Sequence, residues 1–249
     1  MFQVVDCRFY EKVHGTGKRK PAMEGMYARY VKRVLDFSLA LISLLLFWWV
    51  LVIVAVLVRV KLGSPVIFKQ PRPGRNEKVF MLYKFRSMTN ERDANGDLMS
   101  DEMRLTAFGK SLRATSLDEL PELLNILKGE MSLVGPRPQL VRDMVFMTDE
   151  QRQRHLVRPG LSGLAQVSGR NAISWDEKLR LDLDYVENVS FLSDCAIVVQ
   201  TVVRVFAREG ISTEGSETSS DLGDYLLQSG RVSGVEYNTK IEKAKELLP

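Results

Sequence analysis

From Phe37 to Val58 the chain runs 22 residues without a charge, FSLALISLLLFWWVLVIVAVLV, and only Ser38 and Ser43 interrupt it. At about 1.5 Å per residue a helix of that length matches a hydrocarbon core of roughly 30 Å. The pattern predicts a membrane-inserted helix. A cleaved signal peptide fits poorly, because the run starts late and RVKLG lacks a small-residue cleavage pattern. Beyond it, residues 65–70 and 78–85 are β-rich runs separated by PRPGRNE, which predicts a hairpin. Helices are predicted near 98–113, 116–128, 148–156, 174–187 and 190–209, the last apolar over much of its surface and suited to the core or the membrane surface. The fold class expected is α+β and predominantly helical: an inserted helix, a small β-hairpin and membrane-surface amphipathic helices around a compact catalytic core. The segments divide into an N-terminal extension (1–25), a membrane-associated helix (26–62), a catalytic domain (63–213) and a polar C-terminal tail (214–249). The tail reads as a flexible appendage with a short helix at 236–248.

Charge changes the reading of the apolar helix. Residues 1–35 hold eight Lys/Arg against three acids, and residues 59–86 hold eight against Glu77 alone. A spanning helix should be basic mainly on its cytoplasmic side. Two basic flanks favour a re-entrant helix with both ends inside; the alternative is a single-pass anchor with a tolerated basic tail. Composition then excludes several classes. With 45% hydrophobic and 27% charged residues the chain is neither disordered throughout nor a polytopic bundle. Cys7 and Cys195 are far apart, which argues against a disulfide framework or a structural zinc site.

Several motifs fail. Gly15-Thr-Gly17-Lys18 and Phe108-Gly-Lys-Ser111 lack full phosphate-loop spacing, because Arg104 stands where the first glycine should be. His14 and His155 read as surface residues. The informative stretch is Arg113-Ala-Thr-Ser-Leu-Asp118-Glu119-Leu-Pro-Glu-Leu-Leu-Asn-Ile-Leu-Lys-Gly129. Leu117, Leu120, Leu124 and Leu127 are expected on one helical face, Ser116 and Glu119 have capping-box spacing, and Gly129 is a stop. A structural helix start explains this pattern. So does a site in which Asp118 is an ionised nucleophile at the helix's positive end and Glu119 holds a divalent cation. Gly135-Pro136-Arg137-Pro138 locks an arginine in a turn, suited to bidentate phosphate contact or simply solvated. Residues 157–171, with Arg158, Arg170 and Asn171, place Gly and Arg where a backbone can approach a ligand. With Lys84 and Arg86 these residues surround one acidic pair. That set suits a Mg²⁺-bound diphosphate better than nucleic acid, for which interleaved aromatics are lacking.

KRVLDF (32–37), IFKQPRPG (67–74), YKFRSM (83–88), residues 112–138 and residues 157–175 together resemble the bacterial monotopic phosphoglycosyl transferases, nearest to the small undecaprenyl-phosphate N,N'-diacetylbacillosamine phosphotransferase type. The resemblance runs from about residue 26 to 213. It implies transfer of a phosphosugar from a UDP-sugar to undecaprenyl phosphate, with release of UMP, at the cytoplasmic face of the bacterial inner membrane. Asp118 would form a phosphosugar–aspartyl intermediate, and Glu119 would bind Mg²⁺. Lys84, Arg113, Arg137 and Asp182 match further active-site positions, and downstream glycosyltransferases are implied partners. One departure stands out: where re-entrant members carry Ser-Pro in mid-helix, this chain has Trp48-Trp49, and Trp does not by itself kink a helix. The rival reading from another class is a membrane-anchored basic scaffold for anionic lipid or a protein partner.

Overall fold

A computed structural model describes residues 25–169, 173–207 and 221–248. A π-helical turn, Tyr27–Val31, leads into α1 (Lys32–Leu62). The strands β1 (Ile67–Pro73) and β2 (Val79–Phe85) follow, then α2 (Asp101–Arg104), α3 (Ala107–Ala114), α4 (Glu122–Lys128) and β3 (Ser132–Val134). Next come α5 (Val141–Met144), α6 (Asp149–Arg152), β4 (Gly160–Ser162), α7 (Leu164–Ser168), α8 (Trp175–Glu187) and α9 (Phe191–Ala207). After residue 220 the chain adds α10 (Leu222–Gln228) and α11 (Gly234–Glu246).

Both halves of α1 pack on the same body. Ala40 is fully buried against Phe80, Leu123, Ile126 and Met131, and Val58 is fully buried among Phe85 and Leu112. Between them Leu45, Leu46, Trp48 and Trp49 are exposed. The helix is broken at Phe47 (φ −112°, ψ 15°), so the bend expected to need proline occurs beside Trp48 without it. Asp36 fixes the first half by accepting hydrogen bonds from Ser132 Oγ (2.6 Å) and Leu133 N (3.1 Å). Arg33 donates to the carbonyls of Ile126 (2.6 Å) and Leu127 (2.9 Å), satisfying orphan acceptors at the end of α4. The inserted-helix candidate is thereby tied directly to the helix that follows Asp118 and Glu119.

The expected hairpin forms, with β1 antiparallel to β2 and Phe68 opposite Lys84. Its outer edge is closed by Asn125, fully buried on α4. Asn125 Oδ1 accepts from Tyr83 N (3.1 Å) and Nδ2 donates to Met81 O (2.7 Å). The glycines around Gly160 read in the sequence as points where a backbone approaches a ligand; the structure uses them for a parallel pair, β3 with β4. Those glycines instead permit strand-to-strand contact. A Cβ on Gly160 would stand 2.1 Å from Gly135 N, and one on Gly135 would stand 2.4 Å from Arg158 O.

Near the acidic pair the leucine phase also differs from expectation. Pro121 separates a 3₁₀ turn (Leu117–Glu119) from α4, so Leu123 and Ile126 face the core and Leu124 is exposed. Gly129 ends α4 at φ +83°, the left-handed stop expected of it. Helix α9 buries Asp194 and Ile197 and exposes Leu192, Val199 and Val203. Asp194 accepts from Tyr27, Lys32 and Tyr185, anchoring the start of α1. The short helix expected at 236–248 forms as α11 (Gly234–Glu246), but the segment is no loose appendage: α10 precedes it and both dock on the body. Leu222 and Val232 pack with Phe146, Met147, Trp175 and Leu179 in a buried cluster.

Candidate active site

The acidic pair sits at the bottom of an open cleft of about 710 Å³. The turn that carries it starts at Ser116, a non-glycine residue at φ +54°, a conformation that costs about 1 kcal/mol or more and recurs at functional sites. The capping box expected of Ser116 and Glu119 is not made. Ser116 forms no side-chain cap, and the Glu119 carboxylate turns instead to two cations. Lys84 Nζ, delivered by β2, donates to Glu119 Oε1 at 2.8 Å, and Arg137 donates to the same oxygen at 2.5 Å. Lys84 Nζ also lies 3.1 Å from Glu122 Oε1, an ion pair without hydrogen-bond alignment.

This arrangement drives the three carboxyls apart. Burial, reinforced by the neighbouring Glu119 charge, pushes Asp118 up to about 6 against the pull of Lys84, Arg137 and Arg113. Burial works the same way on Glu119, but Arg137 and Lys84 overturn it and hold that carboxyl well below the usual range. Glu122, almost wholly buried, is pushed up to about 7 by burial and by Glu119. The Glu119 charge in turn raises the Arg137 guanidinium. At neutral pH Glu119 is a fixed anion and Asp118 is mostly a carboxylate, with no hydrogen bond to it among the described residues.

The residues expected at the site separate into four groups. Lys84, Arg86, Arg113, Asp118, Glu119, Arg137, Pro138 and Asp182 all border the cleft. Arg113 Nε donates to Ser87 Oγ (2.9 Å), and Arg86 donates to the Ser64 carbonyl (2.5 Å), close to the end of α1. Pro136 is buried behind Arg137, its carbonyl accepting from Gly160 N at 3.0 Å. Arg158 lies elsewhere: its Nε donates to Gly129 O (2.8 Å), in a crevice shared with Lys32, Arg33 and Asp36. Arg170 and Asn171 are outside the described residues.

Sequence reasoning missed Arg154. It donates twice to Asp182 Oδ2 (3.0 and 2.7 Å) and once to the Arg137 carbonyl (2.7 Å), so Asp182 reaches the site through a buried arginine. Its neighbour His155 is also buried, not a surface residue. Burial and then Arg154 push its imidazole down to about 3, so it is neutral. No motif announces Arg154. Glu122 did carry a signal, since it follows Asp118 and Glu119 by four and three residues. As for a metal, no three His, Cys, Asp or Glu side chains cluster as a cage among the described residues. Mg²⁺ does not require one, because one or two carboxylates plus substrate phosphates suffice. Both cations hold Glu119 by Oε1, which leaves Oε2 to offer.

An anionic nucleophile candidate, a carboxylate with a spare oxygen and a ring of cations suit transfer chemistry at a phosphate. Residues 27–208 match the bacterial sugar transferase family, and the chain belongs to that family. It is 49% identical over 203 residues to the uncharacterized sugar transferase EpsL of Bacillus subtilis (strain 168), covering 82% of this chain and 98% of that one. It is 38% identical over 182 residues to the UDP-N-acetylgalactosamine-undecaprenyl-phosphate N-acetylgalactosaminephosphotransferase of Aeromonas hydrophila, covering 70% of this chain and 43% of that protein. It is 36% identical over 194 residues to the UDP-glucose:undecaprenyl-phosphate glucose-1-phosphate transferase of Xanthomonas campestris pv. campestris, covering 74% and 40%. The chain thus spans less than half the length of the two phosphotransferases.

Proposed function

We propose that this protein moves a phosphosugar from a UDP-sugar to undecaprenyl phosphate and releases UMP, the first membrane step in building a glycoconjugate. The observation that carries the reading is the buried Asp118 beside a Glu119 held by Lys84 and Arg137, in a cleft that also receives Arg113. The named reactions of the Aeromonas and Xanthomonas relatives support it. A carboxylate oxygen of Asp118 attacks the sugar-bearing phosphorus, and the bond to the UMP oxygen breaks. An oxygen of undecaprenyl phosphate then attacks the same phosphorus, breaks the bond to Asp118 and restores the carboxylate. Splitting one displacement into two lowers each barrier. Arg137, Lys84 and Arg113 neutralise charge on the transferring phosphate, from positions set before reaction. Glu119 would hold Mg²⁺, which supplies further neutralisation of the diphosphate.

The same reading places the protein at the cytoplasmic face of the bacterial inner membrane, with the exposed middle of α1 inserted and both ends inside. Two basic flanks and the packing of Ala40 and Val58 on one body support that topology.

The test uses detergent-solubilised full-length protein with UDP-sugars, undecaprenyl phosphate and Mg²⁺, measuring UMP release. Donor alone should leave a phosphosugar adduct on the wild type by intact mass and none on Asp118→Asn. An Asp118→Asn variant that releases UMP at the wild-type rate would remove Asp118 as nucleophile.

A further inference from the structure

Residues 221–248 lie beyond the family match, which ends at residue 208, yet they pack behind the cleft on Phe146 and Trp175, and Asp221 borders it. Asp143, 2% exposed, carries the connection. Its Oδ2 accepts from Leu140 N (3.0 Å) and its Oδ1 from Leu222 N (2.9 Å), so one buried carboxylate ties α10 to the strand of chain that follows Arg137. A second tie runs to α8: Arg231 and Tyr225 both donate to Asp176, in the first turn of the helix that presents Trp175 and Lys178 to the cleft. Close packing completes the join, since a Cβ on Gly223 would stand 2.6 Å from the Phe146 ring. Asp221, paired with Arg142, itself borders the cleft.

The two flanks of the cleft differ in chemistry. Arg86, Arg104 and Arg113 stand on the flank joined to the end of α1 through Ser64, with Asp101 paired to Arg104; three cations against one acid suit phosphates and a lipid arriving from the membrane. A second flank, next to α8 and α10, offers Gln139, Lys178, Asp221 and the edge of a largely buried Trp175: an amide, an indole and one charge of each sign. That mixture matches the hydroxyls of a sugar and not a polyanion. We propose that α10 and α11 are a clamp that sets the sugar end of the donor site. They position Gln139 and Trp175, present Asp221, and so decide how tightly the sugar of a UDP-sugar is held. This rests on the phosphosugar-transfer reading.

The experiment titrates full-length, detergent-solubilised protein with UDP-glucose, UDP-galactose, UDP-N-acetylgalactosamine and UDP alone. Gly223→Ala should weaken the best-bound UDP-sugar at least fivefold and leave UDP within twofold, because only the sugar meets the clamp. Phe146→Leu added to Gly223→Ala makes room and should restore the UDP-sugar Kd. Leu222→Pro is the second variant. It removes the N–H that Asp143 accepts at a first helical position where proline is tolerated, and the same selective loss is expected. Equal weakening of UDP and UDP-sugar, or none, in variants that still melt cooperatively overturns the clamp while leaving transfer chemistry intact. Wild-type protein that binds neither UDP nor any UDP-sugar, and binds undecaprenyl phosphate without releasing UMP, overturns the transferase reading, and the clamp with it.

Discussion

Arg154 and Asp182 meet at 2.7 Å with side chains only 1% and 3% exposed, and the same guanidinium holds the backbone carbonyl of Arg137. Removing one partner of such a pair leaves an uncompensated buried charge, at a cost of about 3–5 kcal/mol. Asp182→Ala is therefore expected to lower unfolding stability by about that amount in chemical denaturation and to reduce activity through loss of the Arg137 position. A change under about 1 kcal/mol would mean that water reaches Arg154.

The Asp118 carboxyl gives a pH prediction with a definite sign. Its folded pKa, about 6, lies above the ordinary value of 3.8 because of burial and then Glu119. The unfolded state therefore binds fewer protons in this window. Stability that is fully present below about pH 4 is lost as pH rises through 6. Asp118→Asn should stabilise the protein on the order of 2 kcal/mol at pH 7.5 and lose that advantage by pH 4. The opposite trend in denaturation midpoints would contradict the burial of Asp118 beside Glu119. Activity should run the other way, falling below pH 6 as the nucleophile protonates.

Gly160→Ala tests the parallel strand pair. The added methyl would lie 2.1 Å from Gly135 N and 2.4 Å from Ser162 O, both backbone atoms that cannot swing aside. A loss of about 2 kcal/mol or more is expected from such overpacking. Gly234→Ala is the control, because nothing lies within 4 Å of its added Cβ and its φ is not positive.

Trp48 and Trp49 are 62% and 52% exposed at the break in α1. In bilayers containing brominated lipids their fluorescence should be strongly quenched, and Trp48→Phe with Trp49→Phe should abolish the quenching while the buried Trp175 continues to emit. Unquenched emission from the wild type would contradict insertion of this segment.

Much of the outline was legible because it rests on local rules. Charge-free length marks α1, alternation and PRPG mark the hairpin, and Gly129 marks a helix end. The acidic pair reads either as a helix start or as a site, and the family resemblance, through Lys84, Arg113 and Arg137, is what tips it toward chemistry. The rest depends on contacts between distant segments. Arg158 belongs to a crevice near Arg33 because β4 runs beside β3, which no period in the sequence predicts. Arg154 matters only because α8 brings Asp182 to it. The C-terminal residues read as a tail because their polar composition hides the few apolar side chains, Leu222, Tyr225, Leu226 and Val232, that dock on Phe146 and Trp175.

A two-stranded ribbon is marginal alone and has two open edges, each a template for another chain. Asn125 closes the β2 edge with a single amide. By offering an acceptor to Tyr83 N and a donor to Met81 O, it occupies the positions a third strand would use, next to the residue that carries the cation of the site. The side chain is thus a decoy strand: it keeps β2 from recruiting a neighbouring molecule, and Lys84 stays free to meet Glu119.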